Sequence, residues 1–240
     1  MINRLAPHPW LRRARPLLGT LVEVAIARSG AHDDAAIDAA FGAIAEVQAC
    51  LSRFDAHSDV ARFHALRAGQ SLELRPHTAQ VLAAAQALRD ASVGLFDISV
   101  GTAPTGWRRD AAQLYKLSDA VRLDLGGIGK GHAVDVAVDA LMQRGCRAGW
   151  VNAGGDLRVF GDAELPVSVR DESAGGVRPF ATLAEGAFAT SCLEHAGRRA
   201  HASVAAPRCL WADALTKVVA LSGDAAHPLL ARHGAQAWLH

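Results

Sequence analysis

Four glycines, Gly126, Gly127, Gly129 and Gly131, fall within six residues of the stretch DLGGIGKGHAVD (124–135), with Lys130 among them. A helical apolar pattern follows at once: Ala133, Val134, Ala137, Val138 and Leu141. Glycines directly before a helix let the backbone approach a ligand closely. The helix start then offers unpaired N–H groups and a partial positive charge, to which Lys130 adds a full one. Such a place suits a phosphate or pyrophosphate. Two well-known phosphate motifs do not fit. A P-loop needs Ser or Thr after Gly-Lys, where this chain has Gly131, and Asp124 stands where its first Gly belongs. A dinucleotide fingerprint started by Gly129 and Gly131 ends wrongly on Val134. A tight strand-to-helix turn with a solvated lysine stays open as the plainer reading.

The rest of the chain alternates strand and helix signals. TLVEVAIA (20–27) reads as a strand, and 33–51 as a long helix opened by Asp33 and Asp34. A short helix restarts near Asp59. Residues 77–92 form another helix, with Thr78 as candidate N-cap and Gly94 just past its end. Residues 101–118 read as irregular, and VRLDL (121–125) as a short strand into the glycines. AGWVNA and LRVFG are strands around the turn Gly154-Gly155-Asp156; LPVSVR, GAFATS and AHASVAA are further strands. A helix runs from Asp213 to Leu221, before a terminal apolar run, AQAWLH. This order implies an α+β domain, and the length suits one large domain or two small ones.

Composition excludes several classes. Lys plus Arg is 25 against 24 for Asp plus Glu, so no large basic surface for nucleic acid is expected. No apolar run is long enough to span a membrane. The first residues show neither an apolar leader core nor a small-residue cleavage site, which points to the cytoplasm. Cys50, Cys146, Cys192 and Cys209 are widely spaced and read as free thiols rather than a zinc site.

Taken together, LLGTLVEVAI, LSRFDAHSDVARF, ALRDASVGLFDISVG, DLGGIGKGHAVD, VNAGGDLRVFG and CLWADALTKVV resemble, in order, the FAD:protein FMN transferase (ApbE) family over roughly residues 15 to 222. The resemblance implies a single α+β domain over 1–240 of ApbE-like (T-fold-like) architecture, with mixed, largely antiparallel sheets flanked by helices, and a Mg²⁺-dependent enzyme. Such an enzyme transfers the FMN moiety of FAD to a Thr or Ser of an acceptor flavoprotein and releases AMP. It places Leu18, Phe54, Leu95, Phe96, Asp97, Gly127, Lys130 and Val136 against FAD. It makes Lys130 and Asp213 the catalytic pair, and Asp213, the carbonyl of Ala133, and Thr216 or Lys217 the metal's surroundings. Asp156 would shape the pocket floor.

Two departures from the family pattern stand out. The hydroxyl residue usually found four positions after the metal-binding Asp is Lys217 here, with Thr216 one residue early. The segment His-x-x-Asp-Pro-x-Thr-Gly is missing from HAGRRAHASVAAPRC, leaving His195 and His201 as candidates for its His. Hydrolysis of FAD to FMN and AMP, or FAD binding without catalysis, are the alternatives to transfer.

Overall fold

The computed structural model describes residues 10–170, 175–195 and 198–240. In chain order the elements are β1 (Trp10–Leu17), β2 (Thr20–Ala27), α1 (Asp33–Leu51), α2 (Asp59–Ala65), β3 (Ser71–Glu73), α3 (Pro76–Ala91), β4 (Trp107–Asp110), β5 (Gln113–Lys116), α4 (Gly129–Gln143) and β6 (Gly149–Ala153). They continue with β7 (Asp156–Phe160), β8 (Leu165–Arg170), β9 (Val177–Leu183), β10 (Gly186–His195), β11 (Arg198–Ala206), α5 (Cys209–Ser222), α6 (Leu229–Arg232) and β12 (Gln236–Leu239).

The main sheet has the order β1-β2-β6-β7-β10-β11-β12, and every neighbouring pair is antiparallel. Alternation along β2 decides what each face meets. Val22, Val24 and Ile26 pack on Ile37, Phe41 and Ile44 of α1 and on Val134, Val138 and Leu141 of α4. Ala25 and Trp150 point the other way, into a cluster with Val167 and Val169 of the β8–β9 ribbon. A third cluster joins α2, α3 and the β3-β5-β4 sheet to Leu215, Val218 and Val219 of α5. α4 and α5 therefore lie between the layers, and their starts are held at the junction of the first and third clusters, with Ala133, Cys209 and Ala212 in the one and Ile128, Ala214 and Leu215 in the other.

The structure departs from the sequence expectations at identifiable places. β1 carries Arg12, Arg13, Arg15 and Pro16, a polar pattern that hides a strand. Among the described residues it is the edge of the sheet, paired with β2 alone, where charge and proline are tolerated. Residues 101–118 are not irregular throughout, since β4 and β5 form a hairpin there. VRLDL is not a strand: Leu123 N–H donates to His64 Nε2 (2.9 Å) and Asp124 N–H to the Ile98 carbonyl (2.8 Å), so its amides are taken outside any ladder. Thr78 is not a cap. Arg75 precedes Pro76 at the start of α3, and Thr78 Oγ1 donates to the buried Asp59 (2.7 Å). α5 begins at Cys209, so Asp213 sits a full turn inside the helix rather than at its start.

Candidate functional site

Two hairpins and two helices converge here. Leu18 and Gly19 form the two-residue turn of the β1–β2 hairpin, both with positive φ (56° and 73°). That is the type I′ geometry matching strand twist, and it is uncommon for a residue such as Leu. The Leu18 N–H is held by Gln48 Oε1 of α1 at 2.5 Å. Gly154 and Gly155 make the equivalent turn between β6 and β7 (φ 66° and 103°), and a side chain at 154 would strike Thr20 Oγ1 at 2.6 Å. The two turns are thus pressed together beside the start of α4.

A cleft of about 520 Å³ opens at this place. Its apolar lining includes Leu18, Val47, Leu51 and Phe54, and its polar end includes Asp124, Gly126, Gly129 and Lys130. Phe54 is 86% exposed, with the Arg53 guanidinium 4.8 Å from its ring centre. Arg53 in turn pairs with Asp124 (3.0 Å), which closes one side of the glycine run.

The N-terminus of α4 has no capping side chain of its own, because Ile128 precedes it and no acid lies in its first turn. Asp213, fully buried, reaches across from α5 and accepts the Gly131 N–H at 3.1 Å. Lys217, four residues on, contacts Asp213 Oδ1 and donates to the Asp213 carbonyl at 2.9 Å. Thr216 Oγ1 lies 2.6 Å from that same carbonyl and 2.8 Å from Ser191 Oγ of β10. A hydroxyl has one proton, so Thr216 donates it to the carbonyl and accepts from Ser191. Lys130 pairs with Asp156, the buried first residue of β7, and so ties the two glycine motifs together.

Burial and the nearby Asp213 carboxylate push the Asp156 carboxyl up to about 6, against the pull of Lys130. Lys130 is itself disfavoured by burial, but Asp213 and Asp156 outweigh this and hold its ammonium above the ordinary lysine range. With 3.8 as the unfolded value and about 6 as the folded one, the folded state binds the extra proton between them. Asp156 therefore favours folding at the acid end of that window, and this contribution is lost as pH rises through about 6. Asp156→Asn removes the effect. The variant's unfolding free energy relative to wild type, from urea titrations, is expected to rise between about pH 4 and pH 6. A difference independent of pH would contradict this.

The sequence-predicted residues divide into two groups. Leu18, Phe54 and Lys130 line the cleft, Gly127 lies against the stem of Lys217, and Asp213, Thr216 and Lys217 gather behind the α4 start. The others lie back from it. Ala133, expected to act through its carbonyl, has its side chain fully buried in the first cluster, and Val136 packs on that cluster; neither side chain lines the cleft. Phe96 is in the core with Leu95 against it, and Asp97 closes its own turn by accepting from Ser99 and Gly101. Those three support the wall through Ile98 and Asp124. His201 is on β11 with its ring 4.9 Å from that of His240, and the His195 side chain lies outside the described residues. Sequence reasoning missed Gln48, Arg53, Asp124 and Ser191. Of these, only Arg53 and Asp124 carried a signal, as charges adjoining Phe54 and the glycines.

Comparison with known proteins agrees with this picture. The ApbE family model matches residues 18–195. A curated relative from Rhodobacter capsulatus, named FAD:protein FMN transferase, is 36% identical over 146 residues, which is 47% of this chain and 28% of the relative. The chain thus spans under a third of that relative's length. Among solved structures, the ApbE protein of Thermotoga maritima superposes with a TM-score of 0.79 at 20% identity, covering 90% of this chain and 87% of that one. The flavin transferase ApbE of Vibrio cholerae gives 0.80 at 18% identity over 90% and 87% of the two chains. Apo flavinyl transferase ApbE of Pseudomonas stutzeri gives 0.80 at 20% identity over 96% and 90%. At such identities these structures speak for the fold, and the antiparallel sheet flanked by helices is theirs. The family model covers most of the chain, and this chain belongs to the ApbE family.

Proposed function

We propose that the chain binds FAD in the cleft over the α4 start and transfers its FMN moiety to a Thr or Ser hydroxyl of an acceptor flavoprotein, releasing AMP. One observation carries the reading: Lys130 faces the cleft from a helix N-terminus that its own segment leaves uncapped, at the polar end of an otherwise apolar trough. The apolar end, with Leu18 and Phe54, suits a flavin ring. The glycine end suits a diphosphate. Family membership and the name of the R. capsulatus relative support the same reaction.

In that reaction the acceptor oxygen bonds to the FMN-side phosphorus, and the bond from that phosphorus to the bridging oxygen breaks. AMP leaves with the bridging oxygen and the hydroxyl proton passes to a base. Phosphoryl transfer depends mainly on positioning and charge neutralisation. Here Lys130 and the positive end of the α4 dipole supply both at the diphosphate, and the Leu18 turn and Phe54 hold the ring.

The Mg²⁺ that the family resemblance implies does not fit the arrangement. Asp213 and Asp156 bring two negative charges, and Lys217 and Lys130 balance both. Among the described residues no group of three His, Cys, Asp or Glu side chains could hold a metal. An ammonium repels a divalent ion 4 Å away by about 8 kcal/mol at an effective dielectric constant of about 20. No step is therefore routed through a metal.

Incubation with FAD and a candidate acceptor, followed by product analysis, tests the proposal. FMN on the acceptor with AMP released is expected. Free FMN with AMP would mean that water takes the acceptor's place, and unchanged bound FAD would mean binding alone. Lys130→Ala is expected to weaken FAD binding by about 1–3 kcal/mol through the lost charge-assisted contact. Unchanged affinity in a calorimetric titration would remove Lys130 from the site.

A further inference from the structure

Lys217 is built into the site rather than draped over it. It follows Asp213 by one helical turn, which puts both side chains on one face of α5. Its side chain is only 17% exposed, and a Cβ at position 127 would come within 3.1 Å of its Cε. Glycine at 127 thus makes room for the lysine stem. The ammonium contacts Asp213 Oδ1 and the Asp213 carbonyl oxygen, while Oδ2 is taken by the Gly131 N–H. Both carboxylate oxygens and the carbonyl of Asp213 already have protons aimed at them. A hard divalent cation needs such oxygens with their lone pairs free. An ammonium has three N–H donors, and Asp213 takes two, so one is left for a phosphate oxygen approaching over Gly127.

We infer that the Lys217 ammonium is the resident cation at Asp213, displacing a divalent metal, and that the chain handles the diphosphate of its dinucleotide without one. The first part stands on the contacts around Asp213; the second rests on the FAD reading above.

Manganese paramagnetic resonance tests the first part without any turnover. Mn²⁺ is titrated into wild type, Asp213→Asn, Lys217→Thr and the double variant Asp213→Asn/Lys217→Thr, with and without FAD, against FAD alone. Wild type is expected to leave the free Mn²⁺ signal untouched, and folded Lys217→Thr to take up about one ion per chain, which the double variant loses. Two results would overturn the inference. One is a wild-type chain that binds Mn²⁺ and loses it in Asp213→Asn. The other is a folded Lys217→Thr, checked by circular dichroism, that is as silent as wild type. For the second part, wild-type FAD affinity by flavin fluorescence is expected to agree within about twofold in EDTA and in millimolar Mg²⁺. Binding seen only with Mg²⁺ would overturn it. Absence of FAD binding under both conditions would refute the FMN-transfer reading instead, and the Mn²⁺ result would still decide the role of Lys217.

Discussion

Asp213→Ala is expected to lower the unfolding free energy by about 3 kcal/mol and to abolish turnover of FAD. The carboxylate is fully buried and serves two helices at once, capping α4 through Gly131 N–H and holding Lys217 on α5. Removing one partner of a buried pair leaves the other charge uncompensated, a loss of about 3–5 kcal/mol. Lys217 keeps some solvent contact, so the lower end applies. A second substitution isolates the cause. Asp213→Ala/Lys217→Met removes the orphaned ammonium and keeps the stem against Gly127, so it should recover about 1–2 kcal/mol in urea titrations. If the double variant is as unstable as the single one, the ion pair is not what Asp213 stabilises.

Gly131→Ala is expected to cost about 3 kcal/mol or more, as overpacking against rigid backbone. A Cβ there would lie 2.3 Å from the Cys209 carbonyl oxygen and 2.9 Å from Asp213 Cβ. The neighbours are the first turn of α5 and the side chain that caps α4, so the helices must separate and the Gly131–Asp213 hydrogen bond must stretch. Gly42→Ala, mid-way along α1 with no described residue within 4 Å of the added methyl, is the control. It is expected to gain about 0.5–1 kcal/mol from helix propensity. Equal thermal shifts for the two variants would contradict the tight crossing of α4 and α5.

The glycine run was legible because its physics is local. Gly131 marks a close backbone approach, and the apolar spacing after it fixes α4. The alternating strand β2 and the long helix α1 were readable for the same reason. What the chain hid depends on distant partners. β1 looks polar because it is an edge, and residues 121–125 look like a strand although His64 and Ile98 take their amides. Asp213 looked like a first-turn acid of its own helix. It proves to cap another helix, 82 residues away, which no local pattern announces. The exchange of a hydroxyl for Lys217 was visible as an oddity, but only the contact with Asp213 gives it a meaning. Leu95, Phe96, Asp97, Ala133 and Val136 came from the family resemblance, and their side chains lie behind the cleft wall or in the core.

Titration of the chain with FAD, followed by flavin fluorescence, tests most directly that the cleft over the α4 start is a dinucleotide site. One saturable site is expected, weakened in Lys130→Ala at the diphosphate end and in the exposed Phe54→Ala at the flavin end, with the fold intact in both. No saturable binding, or binding that neither substitution disturbs, would contradict the account.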